Sequence, residues 1–344
     1  MAFRWIVNAG LLAIPIGTTI GVLVGIDAQR QASGQQPLFS GGDNGSSTGG
    51  NGGLGGGGST GGDGGNGGGS SDDNGISWIE NCNLTYGIEP PTKGQEYILN
   101  PNQWGVLDGT SGMCMNVTAF NNGSYATNST GPEFAVTWSY KPGSSDQPVH
   151  AFPNIMIEGD TLPVALSDLK TIHMDVEWTY GLGNDPSATT DDATLKAEDL
   201  NANVAIDMFL DSDKTVASNS SQAKYEIMIW FAQYGPSTDP IGYDGTLDDK
   251  GIITNRTVNG TLFHLYSGKN GQGQNVLTYI TDTTTESFSG NLQELLTLPE
   301  SGITASNFPA DTDYLGHFSF GSEAFYSLKN VTFHVPTFAI DIRT

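Results

Sequence analysis

Tyr225-Glu226-Ile227-Met228-Ile229-Trp230-Phe231 carries the clearest structural signal in the chain. It is short, apolar and rich in β-branched and aromatic residues, so it reads as a strand. A period of two puts Ile227, Ile229 and Phe231 on one face and Glu226, Met228 and Trp230 on the other. The first set suits a dry core. A carboxylate, a thioether and an indole do not; they suit the floor of a cleft. Two further stretches repeat the division. In Asn203–Leu210, Val204, Ile206, Met208 and Leu210 share one face, and Asp207 stands opposite with Ala205 and Phe209. In His317–Phe325, Phe318 and Phe320 share one face, and Ser319, Gly321 and Glu323 the other. Three strands thus each carry one acid away from their aliphatic row.

Outward from these, Ala135–Tyr140, Ile172–Tyr180, Leu262–Tyr266 and Val276–Thr281 also read as strands bounded by turn residues. Leu292–Leu298, with Leu292, Leu295 and Leu296 on one side, is the single short helix the pattern supports. No strand–helix–strand alternation appears. The expectation is an all-β sandwich or barrel.

The charge balance is 13 basic against 37 acidic residues, a net −24 in 344 residues. That speaks against nucleic acid, whose phosphates need clustered Lys and Arg. Of 47 glycines, 19 fall between Gly41 and Gly75, a stretch unable to bury a core. It reads as a tether over residues 27–75, with an r.m.s. reach of roughly 38 Å. Its G-x-G patterns follow no strand and open no helix, so no nucleotide site is expected. Residues 76–344 then form one large domain.

Trp5–Ile26 is a run of 22 residues without a charge, long enough as a helix to span roughly 33 Å. It exceeds an ordinary secretory h-region. The expectation is an uncleaved signal anchor over 5–26 behind a cytoplasmic 1–4, placing the domain outside the plasma membrane. The alternative is cleavage near Ala28 and secretion. Gly17, Gly21 and Gly25 add the spacing of helix-dimerising motifs. Nine N-x-S/T sequons point to a lumenal or extracellular, glycosylated domain: Asn44, Asn83, Asn116, Asn122, Asn128, Asn219, Asn255, Asn259 and Asn330.

The chain also resembles glycoside hydrolase family 12. The matching pieces are N-Q-W-G at Asn102–Gly105, A-N-V-A-I-D-M-F at Ala202–Phe209 and Y-E-I-M-I-W at Tyr225–Trp230. P-I-G at Pro240–Gly242, S-F-S-G at Ser287–Gly290 and F-G-S-E-A-F at Phe320–Phe325 follow in order. The resemblance implies a concanavalin A-like jelly roll with a concave cleft. It also implies a retaining endo-β-1,4-glucanase acting on cellulose-like glucan or xyloglucan; no cofactor is expected, and the five histidines show no paired spacing for a catalytic metal. Within the resemblance Glu226 would be the nucleophile and Glu323 the general acid/base. Asp207 would hydrogen-bond the nucleophile, Asn102 and Trp104 would line the non-reducing side, and Met228 and Trp230 would lie in the cleft. Cys82 and Cys114 match a disulfide common in the family.

The chemistry fits those residue types. A retaining glycosidase needs one carboxylate to attack the anomeric carbon and one carboxylic acid to protonate the leaving oxygen. Their pKa values must be pushed apart; Phe320 and Phe325 offer an apolar setting for Glu323. T-T-T-E-S-F-S-G at Thr283–Gly290 is similar to xyloglucan-specific members, and Tyr234-Gly235 followed by P-I-G to general endoglucanases. A non-catalytic glucan-binding protein on the same scaffold is the rival reading; such proteins usually lose one of the two acids. The segment Gly183–Asn201, with Asp185, Asp191, Asp192, Glu198 and Asp199, reads as an acidic insertion without calcium-loop spacing. Gly268–Gly273 reads as a turn.

Overall fold

The computed structural model describes residues 75–82, 87–104, 112–120, 123–144, 148–297 and 307–344. Among them fifteen strands build two layers. One layer runs in the order β1 (Ile76–Cys82), β3 (Gly112–Phe120), β4 (Glu133–Tyr140), β15 (Ala324–Arg343), β7 (Thr171–Leu182), β13 (Ser287–Asn291). The other begins β2 (Glu96–Asn100), β5 (Asn154–Glu158), β14 (Tyr314–Gly321), β8 (Asn201–Asp211). It continues through β9 (Tyr225–Tyr234), β12 (Asn275–Thr281), β11 (Thr261–Lys269) and β10 (Thr254–Val258), with the short β6 (Val164–Ala165) also on β14. Every pairing is antiparallel except β9 with β12. This is the expected β-sandwich.

The alternation read from the sequence sorts the faces. Ile227, Ile229 and Phe231 join Val204, Ile206, Met208, Leu210, Phe318 and Phe320 in the principal core. Phe231 packs edge-on against Phe263 and Phe320. Met228 and Trp230 on the opposite face form a smaller apolar cluster with Ala205, Ile241, Tyr266, Val276 and Ile280.

Three details differ from expectation. Of the helix expected over Leu292–Leu298, the described residues form a single 3₁₀ turn, Leu292–Leu295, with Leu292 and Leu295 buried; Leu298 lies outside the described residues. Two short α-helices appear elsewhere, α1 (Asp192–Ala197) and α2 (Lys214–Ala217), each capped by an aspartate. Asp191 accepts from the Thr194 amide, and Asp213 from the Thr215 and Val216 amides. The acidic insertion is thus a structural element. Asp192 accepts from the hydroxyls of Tyr234 (3.0 Å) and Thr284 (2.7 Å), and Glu198 pairs with Lys329 at 2.6 Å.

Cys82 and Cys114 stand directly opposite on β1 and β3 and are joined as a disulfide. Asn116, Asn128, Asn255, Asn259 and Asn330 are exposed and Asn219 is half-buried; Asn44, Asn83 and Asn122 lie outside the described residues. The plasma-membrane placement is corrected. Among the described residues no helix is long and apolar enough to cross a membrane, and the run 5–26 on which the anchor rested lies outside them. An uncharged run is necessary for a span but not sufficient.

Candidate active site

The register places the acids. Ser319 of β14 stands opposite Asp207 of β8, which stands opposite Met228 of β9. In the next row His317, Phe209 and Glu226 line up across the same three strands. At the other end Gly321 pairs with Ala205 and Ala324 with Ala202. Residues 322 and 323 interrupt the strand expected over His317–Phe325, yet this spacing keeps the register and sets Glu323 opposite Asn203. Asn203 fills the interruption. Its amide N donates to the Glu323 carbonyl (3.3 Å), its Oδ1 accepts from the Glu323 amide (2.9 Å), and its Nδ2 donates to Glu323 Oε2. A side chain thus takes over the ladder where the acid must turn into the cleft.

The three carboxyls are nearly sealed: Glu226 is 2%, Asp207 5% and Glu323 7% exposed. Burial pushes the Glu226 carboxyl up to about 8, the Glu323 charge adds to the rise, and a hydrogen bond from Asn270 opposes it. Burial likewise raises Glu323 to about 7, against the hydrogen bond from Asn203. Asp207 is raised well above the usual carboxylate range, first by burial and then by Glu226 and Glu323. Three acids in one dry site cannot all ionise, so at neutral pH the cluster keeps protons. The protons belong to the cluster as a whole, and a general acid drawn from it has one to give.

Glu226 Oε2 accepts from Asn270 Nδ2 at 3.0 Å. The resemblance pointed to Asp207 for a bond to the nucleophile; in the structure the donor is Asn270. Asp207 Oδ1 is buried with no hydrogen-bond partner among the described residues. Trp230, expected in the cleft, is completely buried, and its Nε1 donates to Met228 Sδ at 3.4 Å. It backs Met228, itself only 3% exposed, from within the small cluster. Trp104 is half-buried, with its amide on the His150 carbonyl (2.9 Å). Its neighbour Gln103 bridges to Ala151, which bridges to Ala324. Asn102 and Trp104 therefore sit on the Glu323 side of the site. Asn102 holds a left-handed backbone (φ 43°), and its carbonyl accepts from the Phe152 amide at 3.0 Å.

Asn203 and Asn270 are the site residues that sequence reasoning missed. For Asn203 a signal existed: it shares the parity of Asp207, four residues on, along the same strand. For Asn270 there was none, since a turn has no periodicity.

A β-sandwich that gathers two buried glutamates, Glu226 and Glu323, with Asp207 into one interacting cluster has the pair of carboxyls that a glycoside hydrolase needs. The description "Glycosyl hydrolase family 12" matches residues 95–343. Xyloglucan-specific endo-beta-1,4-glucanase A of Emericella nidulans is 30% identical over 247 residues, 72% of this chain and 85% of that protein. The enzyme of the same name from Aspergillus niger is 29% identical over 231 residues, 67% of this chain and 79% of its own length. Among solved structures, Trichoderma harzianum Endoglucanase 3 superposes with a TM-score of 0.58 at 23% identity, covering 77% of this chain and 98% of that one. The family 12 xyloglucanase from Bacillus licheniformis does so at 0.53 and 18%, covering 77% and 100%. This chain belongs to glycosyl hydrolase family 12.

Proposed function

We propose that the chain is a retaining endo-β-1,4-glucanase that cleaves internal bonds of β-1,4-glucan, with xyloglucan as the favoured substrate. The observation that carries this reading is the pairing of Glu226 with Glu323 in one buried cluster, each fixed by its own asparagine. In the first step a Glu226 oxygen bonds to the anomeric carbon as the glycosidic C–O bond breaks. The Glu323 proton passes to the leaving oxygen. In the second, Glu323 takes a proton from water, whose oxygen attacks the same carbon and returns Glu226 as carboxylate. Asn203 holds the Glu323 carboxyl on the cleft side. Trp104 offers an apolar face for a sugar ring and Asn102 a polar edge. The xyloglucan preference is supported by the relatives that carry that name at up to 30% identity. The Cys82–Cys114 disulfide and the exposed sequons support export through an oxidising compartment.

The test is reducing-sugar release from xyloglucan, carboxymethyl cellulose and mixed-linkage glucan in parallel, with Glu226→Gln as control. Release from xyloglucan alone establishes a xyloglucanase, and release from the unbranched polymers a general endoglucanase. Binding without release from a folded protein would refute the catalytic reading.

A further inference from the structure

The turn joining β11 to β12 carries Asn270 and Gln274, and both are buried. The backbone decides how the Asn270 amide lies. Its Oδ1 accepts from the amides of Gln272 (3.1 Å) and Gln274 (3.0 Å). Its Nδ2 therefore faces the other way, where it donates to Glu226 Oε2 at 3.0 Å and to Gln274 Oε1 at 2.7 Å. Gln274 is fixed in turn. Its Nε2 donates to the carbonyls of Ser220 (2.9 Å) and Ala223 (2.7 Å), in the loop that leads into β9. Flipping either amide would set donor against donor or acceptor against acceptor. The relay leaves the chain segment just before Glu226 and returns to the Glu226 carboxylate.

We propose that Asn270, locked by Gln274, is a positioning residue for the nucleophile. It favours the charged form of Glu226 through Oε2, against the burial around it, and leaves Oε1 to meet the anomeric carbon. This inference rests on the glucanase reading above. The need for such a donor is set by the surroundings. Asp207 on β8 and Glu323 between β14 and β15 both oppose a charge on Glu226. His317, beyond Phe209 in the same row, is pushed down to about 4 by burial and supplies no positive charge. A donor fixed in advance stabilises the carboxylate without reorganising when the reaction begins.

The experiment compares wild type with Asn270→Asp on 2,4-dinitrophenyl β-cellobioside, whose leaving group departs without an acid. Asn270→Asp keeps the oxygen that caps the turn and exchanges the donor for an acceptor. The expected result is a fall in kcat of about 10- to 100-fold, as for loss of a hydrogen bond to a charged group, with KM little changed. The acid limb of the kcat/KM profile should move to higher pH. Carbon-13 titration of Glu226 reads the same shift without turnover. If Asn270→Asp does not fold, Gln274→Met leaves the turn bonds of Asn270 in place and should show a smaller loss of the same kind. A folded, active Asn270→Asp with wild-type kcat and an unmoved acid limb would overturn the inference alone. A wild type inactive on every glucan would overturn the glucanase reading and this inference with it.

Discussion

Replacing Glu323 by Gln should make the protein more stable, and only above mildly acidic pH. Glu323 has a folded pKa of about 7 against an ordinary 4.5. For an acid raised on folding, the protein is at its most favoured below the unfolded pKa. That advantage drains away as pH rises from the unfolded value through the folded one. The gap of about 2.5 units corresponds to about 3 kcal/mol at 1.36 kcal/mol per unit. Gln keeps the oxygen that accepts from Asn203 Nδ2 and never ionises, so it escapes the loss. It also removes a charge that raises Glu226, an effect of the same sign. Thermal and urea unfolding of both proteins should therefore agree at pH 4.5. At pH 8 they should differ by about 3 kcal/mol in favour of the variant, or about 6–12 °C in Tm for a domain of this size. Net-charge repulsion common to both cancels in the difference. A difference independent of pH, or a wild type the more stable at pH 8, would refute the account of a dry acidic cluster held against its own stability for the sake of chemistry.

Glu226→Gln should lower kcat on any accepted glucan by about a thousandfold or more, since the attacking oxygen is lost; proton NMR of early wild-type product should show retained anomeric configuration. Asn203→Leu removes a bond that lowers the Glu323 pKa, so the alkaline limb of the kcat/KM profile should move upward; an unmoved limb would detach Asn203 from the acid. Cys82→Ser with Cys114→Ser opens a link across 32 residues and should cost up to about 4 kcal/mol by denaturant titration, with activity intact because β1 and β3 lie in the sheet away from the cleft. Trp104→Ala should raise KM on polymeric glucan about tenfold if the indole carries a sugar ring, and steady-state kinetics would read it.

Legible in the sequence were the all-β class, the strands that carry the acids and the face on which each acid stands; strands such as β1, β2, β3 and β13 were not. A period of two is a local property, so Ile227, Ile229 and Phe231 had to share a side and Glu226 had to lie opposite. The order of the motifs along the chain sufficed to place the family. What surrounds those acids is set by long-range pairing. Glu323 meets Asn203 because β14 and β15 hold one register against β8, and 120 residues separate the pair. Asn270 reaches Glu226 because β12 pairs with β9, which brings a turn of no pattern to the carboxylate 44 residues away. Alternation also put Trp230 on the cleft face, but residues around Ile241 and Tyr266 cover it, and no pattern within β9 carries that. Side-chain direction is written in neighbouring residues, whereas burial and pKa depend on whatever the rest of the chain packs on top.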